Sequence, residues 1–427
     1  MFKKPEYNEI RRTYIRQAGF HGFDGLLYEP MVREEKGKIG MVLMHSDSNY
    51  YEFTPAMEFA KRGYVVLACN CDDPNEHFDK KLVKLSKGVD LVKNLPGIEK
   101  VLLIGHSGGA TLMSAYQTVA ENGCQLFQTP DKLVRMDDIE LTPADGVIFL
   151  DSNYGNGAMT LLSIDPAITD ETTGMVRDPE LDLFNPANGF EEGNCTYTEE
   201  WKQKFWSAQA ARMNRLIDYA QARVKAIEKG EGRFVDDEPM TIPGATQFGP
   251  NNKLFPQVPS YLSHTRREWP LIHKDGSVTT QIVPCVRKAR GGRATAQEFG
   301  FSCLQTTVKT FLKNSAIRAD EAAFHLDETS IYGIDWTGNY TCTVGNVEGI
   351  SVPILALGMT GSYEYIAAEY IYEHAKKCSD ISVGFVEGAG HNFFAEESTE
   401  SYPGEWGDTV KSCFDYAGKW VEEKFVK

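Results

Sequence analysis

Short apolar runs of strand length alternate with amphipathic helical stretches over the first 150 residues, and this alternation constrains the fold more than any other feature. The apolar runs are Gly40–His45, Tyr64–Cys69, Val101–Ile104 and Val147–Leu150. Helical patterns follow the second and third runs, over Phe78–Leu95 and Ala110–Ala120. Continuous apolar runs separated by helices predict a parallel sheet that is covered on both faces and built from right-handed βαβ units.

The same alternation returns near the C-terminus, after a long interruption. Strands are predicted over Pro353–Leu357 and Ile381–Val386, and helices over Tyr363–Ala375 and Glu405–Phe425. Between Asn153 and Gly349 the sequence instead has Pro/Gly-rich loops and one long helical pattern, over about Thr198–Lys229. Thr196 and Glu199 have the spacing of a capping box at the start of that helix.

This interruption predicts a division of the chain into a sheet domain and an insert. We expect the sheet domain to comprise residues 1–152 and 350–427, and a cap or lid to comprise residues 153–349. The predicted fold class is α/β: a mostly parallel, doubly wound sheet with a large, mainly helical and loop-rich cap insertion.

Composition limits the classes of partner. The 427 residues carry a formal net charge of −16, which disfavours binding to nucleic acid or to a membrane surface. No apolar run approaches 18 residues, and no apolar stretch follows the N-terminal lysines as in a secretory signal. The nine cysteines form no CxxC pair and are typical of reduced thiols. We therefore expect a cytoplasmic protein, possibly a homo-oligomer, whose partner is a small-molecule substrate.

Gly105-His106-Ser107-Gly108-Gly109 stands between a predicted strand and a predicted helix. So tight a turn strains the serine and requires small residues on both sides of it, which Gly105 and Gly109 provide. The hydroxyl of Ser107 would then project above the sheet at the positive end of the helix, with the Gly108 amide directed at a developing oxyanion. This context predicts a nucleophilic serine.

A serine nucleophile needs a base, and His391 is the best-placed histidine. It follows the last predicted strand in a Gly-rich loop, where its imidazole can reach over the edge of the sheet towards Ser107. His45 and His106 also lie at strand ends near the site and are rivals. Each, however, lies so close in sequence to its own turn that its side chain cannot reach the Ser107 hydroxyl freely.

Together, the strand–GHSGG–helix unit, the final strand with its GAGH loop and the late helix resemble the α/β-hydrolase superfamily. The resemblance covers roughly residues 20–151 and 350–427. It implies the chain order nucleophile, acid, histidine, and an oxyanion hole completed by the loop after the first core strand. That loop usually begins His-Gly, whereas here it reads His45-Ser46-Asp47. The amide of Ser46 or Asp47 would be the second donor, provided that the Asp47 carboxylate points away.

The acid of the triad has two candidates. The resemblance implies an Asp after the penultimate strand, but that loop contains only Glu364 as a carboxylate within reach. Asp151 closes the strand beside the nucleophile strand, an alternative position for the acid in some lipases of this fold. Both lie at the carboxyl edge of the sheet, where ligands bind in open α/β folds.

These residues predict acyl transfer through an acyl-enzyme on Ser107, with hydrolysis of an ester or related acyl bond in a small-to-medium organic substrate. No cofactor is expected, and no metal, since the sequence has no HExxH motif and no paired His/Cys cluster. Two alternatives stay open. The first is use of the same fold for C–C hydrolysis, lyase or acyl-transfer chemistry, and the second is a binding protein with a relic triad.

Overall fold

A ten-stranded mixed sheet forms the centre of the computed structural model, which describes residues 7–17, 22–70, 73–247, 253–289 and 303–426. In chain order the strands are β1 (Ile10–Gln17), β2 (Phe23–Pro30), β3 (Ile39–Leu43), β4 (Val65–Cys69), β5 (Lys100–Ser107), β6 (Gly146–Ser152), β7 (Pro239–Ile242), β8 (His264–Ile272), β9 (Val278–Pro284), β10 (Leu304–Thr307), β11 (His325–Leu326), β12 (Ile331–Tyr332), β13 (Ile354–Met359) and β14 (Ile381–Val386). The strand order across the central sheet is β1-β2-β4-β3-β5-β6-β13-β14-β8-β9.

Pairing within this sheet is parallel from β4 through to β8 and antiparallel at both margins. The hairpin β1–β2 pairs antiparallel with β4, and β9 closes the other margin antiparallel to β8. The interior strands β3, β4 and β6 are buried along their whole length, as expected for parallel strands covered on both faces.

Helices cover both faces of the sheet. In chain order they are α1 (Thr54–Lys61), α2 (Phe78–Lys93), α3 (Gly108–Asn122), α4 (Asn156–Ser163), α5 (Glu199–Glu228), α6 (Leu254–Gln257), α7 (Val308–Asn314), α8 (Thr343–Asn346), α9 (Ala367–His374) and α10 (Thr409–Phe425). Apolar residues of α1 and α10 pack on one face, and those of α2, α3 and α9 pack on the other.

The predicted fold class is confirmed. Among the helices of the described ranges, none combines the length and apolarity needed to cross a membrane.

The long helix of the insert, α5, begins one residue later than predicted and is capped differently. The hydroxyl of Thr198, rather than that of Thr196, accepts a hydrogen bond from the Trp201 amide at 3.2 Å. The predicted capping box at Thr196 is therefore wrong. In both arrangements a hydroxyl satisfies one of the amides that have no partner within the helix.

The insert does not lie wholly above the sheet, contrary to the simple cap expected for residues 153–349. Its hairpin β8–β9 extends the central sheet beyond β14. The buried Glu369 of α9 anchors it by accepting the backbone amide of Arg267 at 3.0 Å and the indole N–H of Trp269 at 2.9 Å. Apolar patterns in the sequence do not indicate this hairpin because its strands are largely polar, as strands at the margin of a sheet can be.

Candidate active site

A strained strand-to-helix turn presents Ser107. β5 ends at this residue and α3 begins at the next, so Ser107 takes φ 51° and ψ −129°. A positive φ at a non-glycine residue costs about 1–3 kcal/mol and persists only where the surroundings impose it. Here the surroundings are tight: a Cβ at Gly105 would lie 2.7 Å from the Ala110 Cα, and one at Gly109 would lie 2.7 Å from the Met44 carbonyl oxygen. Both glycines are therefore required by close packing.

Ser107 and His391 line the same cavity, which has a volume of about 680 Å³. Ser107 reaches it from the end of β5, and His391 reaches it from the loop after β14. The hydroxyl of Ser107 makes no hydrogen bond within the described part of the chain, and the His391 side chain is 36% exposed. Both groups are thus accessible to a molecule in the cavity.

Asp151 is the carboxylate that contacts His391. Nδ1 of His391 donates to Oδ2 of Asp151 at 2.6 Å, and the amide of Met359 donates to the other carboxylate oxygen at 2.9 Å. Asp151 is 1% exposed and, like Ser107, has a positive φ, of 43°. Both oxygens are therefore engaged, which fixes the carboxylate and, through it, the orientation of the imidazole.

Glu364 lies behind the same histidine at a longer distance. Its Oε2 is 3.6 Å from His391 Nδ1, too far for a hydrogen bond, and makes no hydrogen bond although it is buried. Burial raises the pKa of Glu364 to about 7, with the nearby Asp151 carboxylate adding to the rise against the opposing charge of His391. Of the two predicted acids, the structure brings Asp151 into contact with the imidazole and leaves Glu364 as a second, non-bonded carboxyl.

The two carboxyls control the protonation of His391. Burial lowers the pKa of the imidazole, but the negative charge of Glu364 and the hydrogen bond and charge of Asp151 outweigh burial and raise that pKa to about 9. The imidazolium is therefore stabilised, and the neutral imidazole, which alone can accept a proton, is favoured only at higher pH.

The predicted oxyanion-hole residues lie around the start of α3. Gly108 is the first residue of that helix, so its amide has no acceptor within the helix. Ser46 packs against it, since a Cβ at Gly108 would lie 2.6 Å from the Ser46 hydroxyl oxygen. The amide of Asp47 is 3.2 Å from His45 Nδ1, and the Asp47 carboxylate is 2.7 Å from the same nitrogen. Both groups of Asp47 are thus directed at His45, and the carboxylate does not oppose an oxyanion.

His106, a rival base by sequence, is fully engaged elsewhere. Its Nε2 lies 2.8 Å from the carbonyl oxygen of His391, and its Nδ1 lies 2.7 Å from the Tyr50 hydroxyl. Because a carbonyl only accepts, Nε2 carries the proton and Nδ1 accepts from Tyr50. Burial and the charge of His391 hold the pKa of His106 well below its usual range, so the ring is neutral. His106 therefore connects the strand-to-helix turn at Ser107, which we call the elbow, to the loop that carries His391.

Four further residues shape this site and were not predicted from the sequence. Tyr50 holds His106, the buried Lys81 donates to the Ser46 carbonyl at 2.6 Å, and Asn153 and Asn156 line the cavity next to Ser107. Asn153 follows the carboxyl end of a predicted strand, a position that could have identified it. Tyr50 and Lys81 carry no such signal, because they lie in a loop and within a helix.

Asp151, Glu364 and His391 are the group of metal-ligating side chains that the described residues bring together, with ligand atoms within 4.8 Å of one another. A cation there would have to displace the 2.6 Å hydrogen bond between Asp151 and the imidazole. These side chains therefore fit a hydrogen-bonded pair of carboxylate and imidazole better than a metal site.

Comparison with known proteins gives similarity in structure alone. No protein-family model and no curated protein matches the sequence. The chain is similar to the alpha/beta hydrolase GrgF from Penicillium sp. sh18, with 12% identity, a TM-score of 0.44 and coverage of 97% of this chain and 98% of that one. It is similar to Est1E from Butyrivibrio proteoclasticus, with 10% identity, a TM-score of 0.41 and coverage of 97% and 99%. It is also similar to esterase B from Lactobacillus Rhamnosis, with 10% identity, a TM-score of 0.40 and coverage of 98% of this chain and 89% of that one. Similarity at this level leaves the chemistry to be argued from the residues of the site.

Proposed function

We propose that this chain, an α/β-hydrolase by fold, is a serine hydrolase that cleaves an ester or related acyl bond in a small-to-medium organic substrate. One observation carries the proposal: the strained Ser107 lines the same cavity as His391, whose Nδ1 is hydrogen-bonded to the buried Asp151 at 2.6 Å. A cavity of about 680 Å³ is within the usual range for small-molecule sites, which supports a substrate of that size.

The proposed reaction is a two-step acyl transfer. Nε2 of His391 takes the proton of the Ser107 hydroxyl as its oxygen attacks the carbonyl carbon, and Asp151 stabilises the imidazolium. The imidazolium then protonates the leaving alkoxide, and the acyl group stays on Ser107. Water deprotonated by His391 attacks the acyl-enzyme, and the imidazolium returns that proton to the departing Ser107 oxygen as the acid is released. The first step requires the Ser107 hydroxyl to come within hydrogen-bond distance of His391 Nε2, a contact that is often long or poorly aligned without substrate.

The oxyanion of the tetrahedral intermediate would be stabilised by backbone amides. The Gly108 amide is one donor, at the N-terminus of α3. For the second donor we favour Ser46 over Asp47, because the Asp47 amide is directed at His45. Lys81 supports this loop by binding the Ser46 carbonyl.

The test compares wild-type protein with Ser107→Ala in hydrolysis of p-nitrophenyl esters and in labelling by a fluorophosphonate probe. We expect turnover and labelling at Ser107 in the wild type and loss of both in the variant. Ser412→Ala is the control, since it removes a buried serine hydroxyl on α10 and should keep both. Equal turnover by wild type and Ser107→Ala would remove the proposal, and absence of labelling in the wild type would favour a binding protein.

We also propose a cytoplasmic location. The cysteines in the described ranges are free thiols, some buried and some partly exposed. Unpaired thiols are typical of reducing compartments. Fractionation of cells that express the full chain would test this location, and recovery outside the cytoplasmic fraction would contradict it.

A further inference from the structure

We propose that Asn156 is a further catalytic residue, whose side-chain NH₂ donates a hydrogen bond to the carbonyl oxygen of the substrate as that oxygen gains negative charge. This inference rests on the proposed acyl-transfer function. It adds a side-chain donor to the backbone amides of the oxyanion hole.

Asn156 lies directly beside the nucleophile. It is the first residue of α4, just after β6, and it borders the cavity together with Ser107. Its carboxamide packs on the peptide that follows the serine, because a Cβ at Gly108 would lie 3.0 Å from Asn156 Oδ1. The side chain is thus at the end of the cavity where the oxyanion would form.

A chain of buried hydrogen bonds fixes how this carboxamide is turned. The hydroxyl of Thr111, on the first turn of α3, donates to Asn153 Oδ1 at 2.9 Å, and the hydroxyl of Thr343 approaches the same oxygen at 3.4 Å. Asn153 Nδ2 then donates to Asn156 Oδ1 at 3.1 Å. With its oxygen held by Asn153, Asn156 turns its Nδ2 away from that residue.

The Nδ2 group of Asn156 is left to serve a ligand. Within the described part of the chain it has no acceptor, although the residue is only 8% exposed. Nδ2 itself is not among the fully buried atoms without a partner, so this donor at the cavity wall can be reached by an acceptor that the substrate brings. Because Thr111 and Asn153 hold the group in place before the reaction, it stabilises developing charge without reorganising.

The first experiment measures kcat and KM for a p-nitrophenyl ester with Asn156→Ala and Asn156→Asp. Removal of one oxyanion donor lowers kcat by about 10²-fold or more, with KM changed little, and we expect this for Asn156→Ala. Asn156→Asp keeps the shape but places a carboxylate next to the oxyanion, so a larger loss is expected. Wild-type kcat in either variant would overturn the inference.

A second readout separates charge stabilisation from a structural role. A trifluoromethyl ketone inhibitor that forms a tetrahedral adduct on Ser107 should lose affinity in Asn156→Ala by the same factor as kcat/KM. Thermal unfolding should occur near the wild-type temperature. Unchanged inhibitor affinity would overturn the inference, even if turnover fell.

A third set of variants tests the hydrogen-bond chain. Asn153→Asp removes the N–H that holds the Asn156 oxygen, so it should lower kcat, and the Asn153→Asp/Asn156→Ala double variant should lose no more than Asn156→Ala alone. Fully additive losses would contradict the chain. Asn122→Asp is the matched control, because Asn122 lies at the far end of α3 and donates to the Thr118 and Gly349 carbonyls. It should keep wild-type kcat.

Failure of the proposed function would look different. If wild-type protein neither hydrolyses esters nor reacts with a fluorophosphonate at Ser107, the hydrolase proposal fails and so does the role of Asn156. If wild-type protein does both and the Asn156 variants match it, only the inference about Asn156 fails.

Discussion

Single residues in strained conformations mark this site. Ser107, Asp151 and Phe393 have positive φ values of 51°, 43° and 75°, and Phe393 lies two positions after His391. Each such conformation costs about 1–3 kcal/mol, so three of them at or within two residues of the Ser107–Asp151–His391 group need surroundings that impose them. Met359 imposes one by binding Asp151, and the glycines beside Ser107 permit another.

Substitutions of Glu364 and of Asp151, the two carboxyls near His391, should have different effects on activity. Glu364→Gln removes a negative charge 3.6 Å from Nδ1, so the imidazole pKa should fall from about 9. Neutral imidazole, the form that acts as base, then prevails at lower pH. The acid limb of the kcat/KM profile against pH should therefore move to lower pH.

Asp151→Asn is the matched comparison for this prediction. It removes the charge of the group that orients Nδ1, so we expect activity to fall about 10³–10⁴-fold at every pH, in addition to a fall in the imidazole pKa. If Asp151→Asn stayed within tenfold of wild type while Glu364→Gln lost activity, the two roles would be reversed.

His106 should act as a positioning residue. His106→Phe keeps a ring beside His391 but loses the bond to the His391 carbonyl, and a displaced base costs roughly 10–100-fold in kcat. His106→Gln can still donate to that carbonyl and should recover part of the loss. Tyr50→Phe, which removes only the outer hydrogen bond, should lose less than His106→Phe. Equal losses for the Phe and Gln variants would show that ring volume, not the hydrogen bond, is what matters.

At the scale of elements, the elbow depends on contact between α3 and the end of β3. Gly109 lies against the Met44 carbonyl, and residues 45–47, which follow, form the loop in which we propose the second oxyanion donor. The sequence predicted β14 to the residue and the helices α2 and α3 within about two residues, because their apolar patterns are long and clear. It missed β1 and β2, whose hairpin lies at a margin of the sheet.

Gly109→Ala should test that contact. Its Cβ would lie 2.7 Å from a backbone oxygen, which cannot yield as a flexible side chain can, so we expect a loss of about 1–3 kcal/mol in the free energy of unfolding. Gly418→Ala in α10 is the control, since its Cβ would lie 3.4 Å from the Arg62 Cδ and helix propensity favours alanine by up to about 1 kcal/mol. Urea denaturation followed by circular dichroism measures both. A Gly109→Ala variant as stable as wild type would contradict the packing argument.

At the scale of the whole molecule, the insert is part of the sheet. The β8–β9 hairpin pairs with β14, and Lys313 of α7 lies 2.9 Å from Asp137 and forms a short ion pair with the buried Asp79 of α2. Insert and sheet therefore share buried charges and strand edges.

Removal of residues 153–349 should consequently destroy the fold. A chain that joins residues 1–152 to 350–427 through a short linker would expose the β14 edge and leave Asp79 and Glu369 buried without their partners. Loss of one partner from a buried pair costs about 3–5 kcal/mol. We expect an insoluble or non-cooperatively unfolding product. Cooperative unfolding near the wild-type temperature would instead favour a separable cap.

The sequence by itself determined the sheet's interior strands, the elbow and the candidates Ser107, His391, Asp151 and Glu364. These follow from local rules: apolar runs set buried strands, and a Gly-flanked serine between strand and helix sets a tight turn. Only the tertiary structure decided which acid touches His391, that both ring nitrogens of His106 have hydrogen-bond partners, and that a polar hairpin of the insert extends the sheet. Those outcomes depend on distances between residues hundreds of positions apart, such as Asp151 and His391, and no local pattern encodes a difference between 2.6 Å and 3.6 Å.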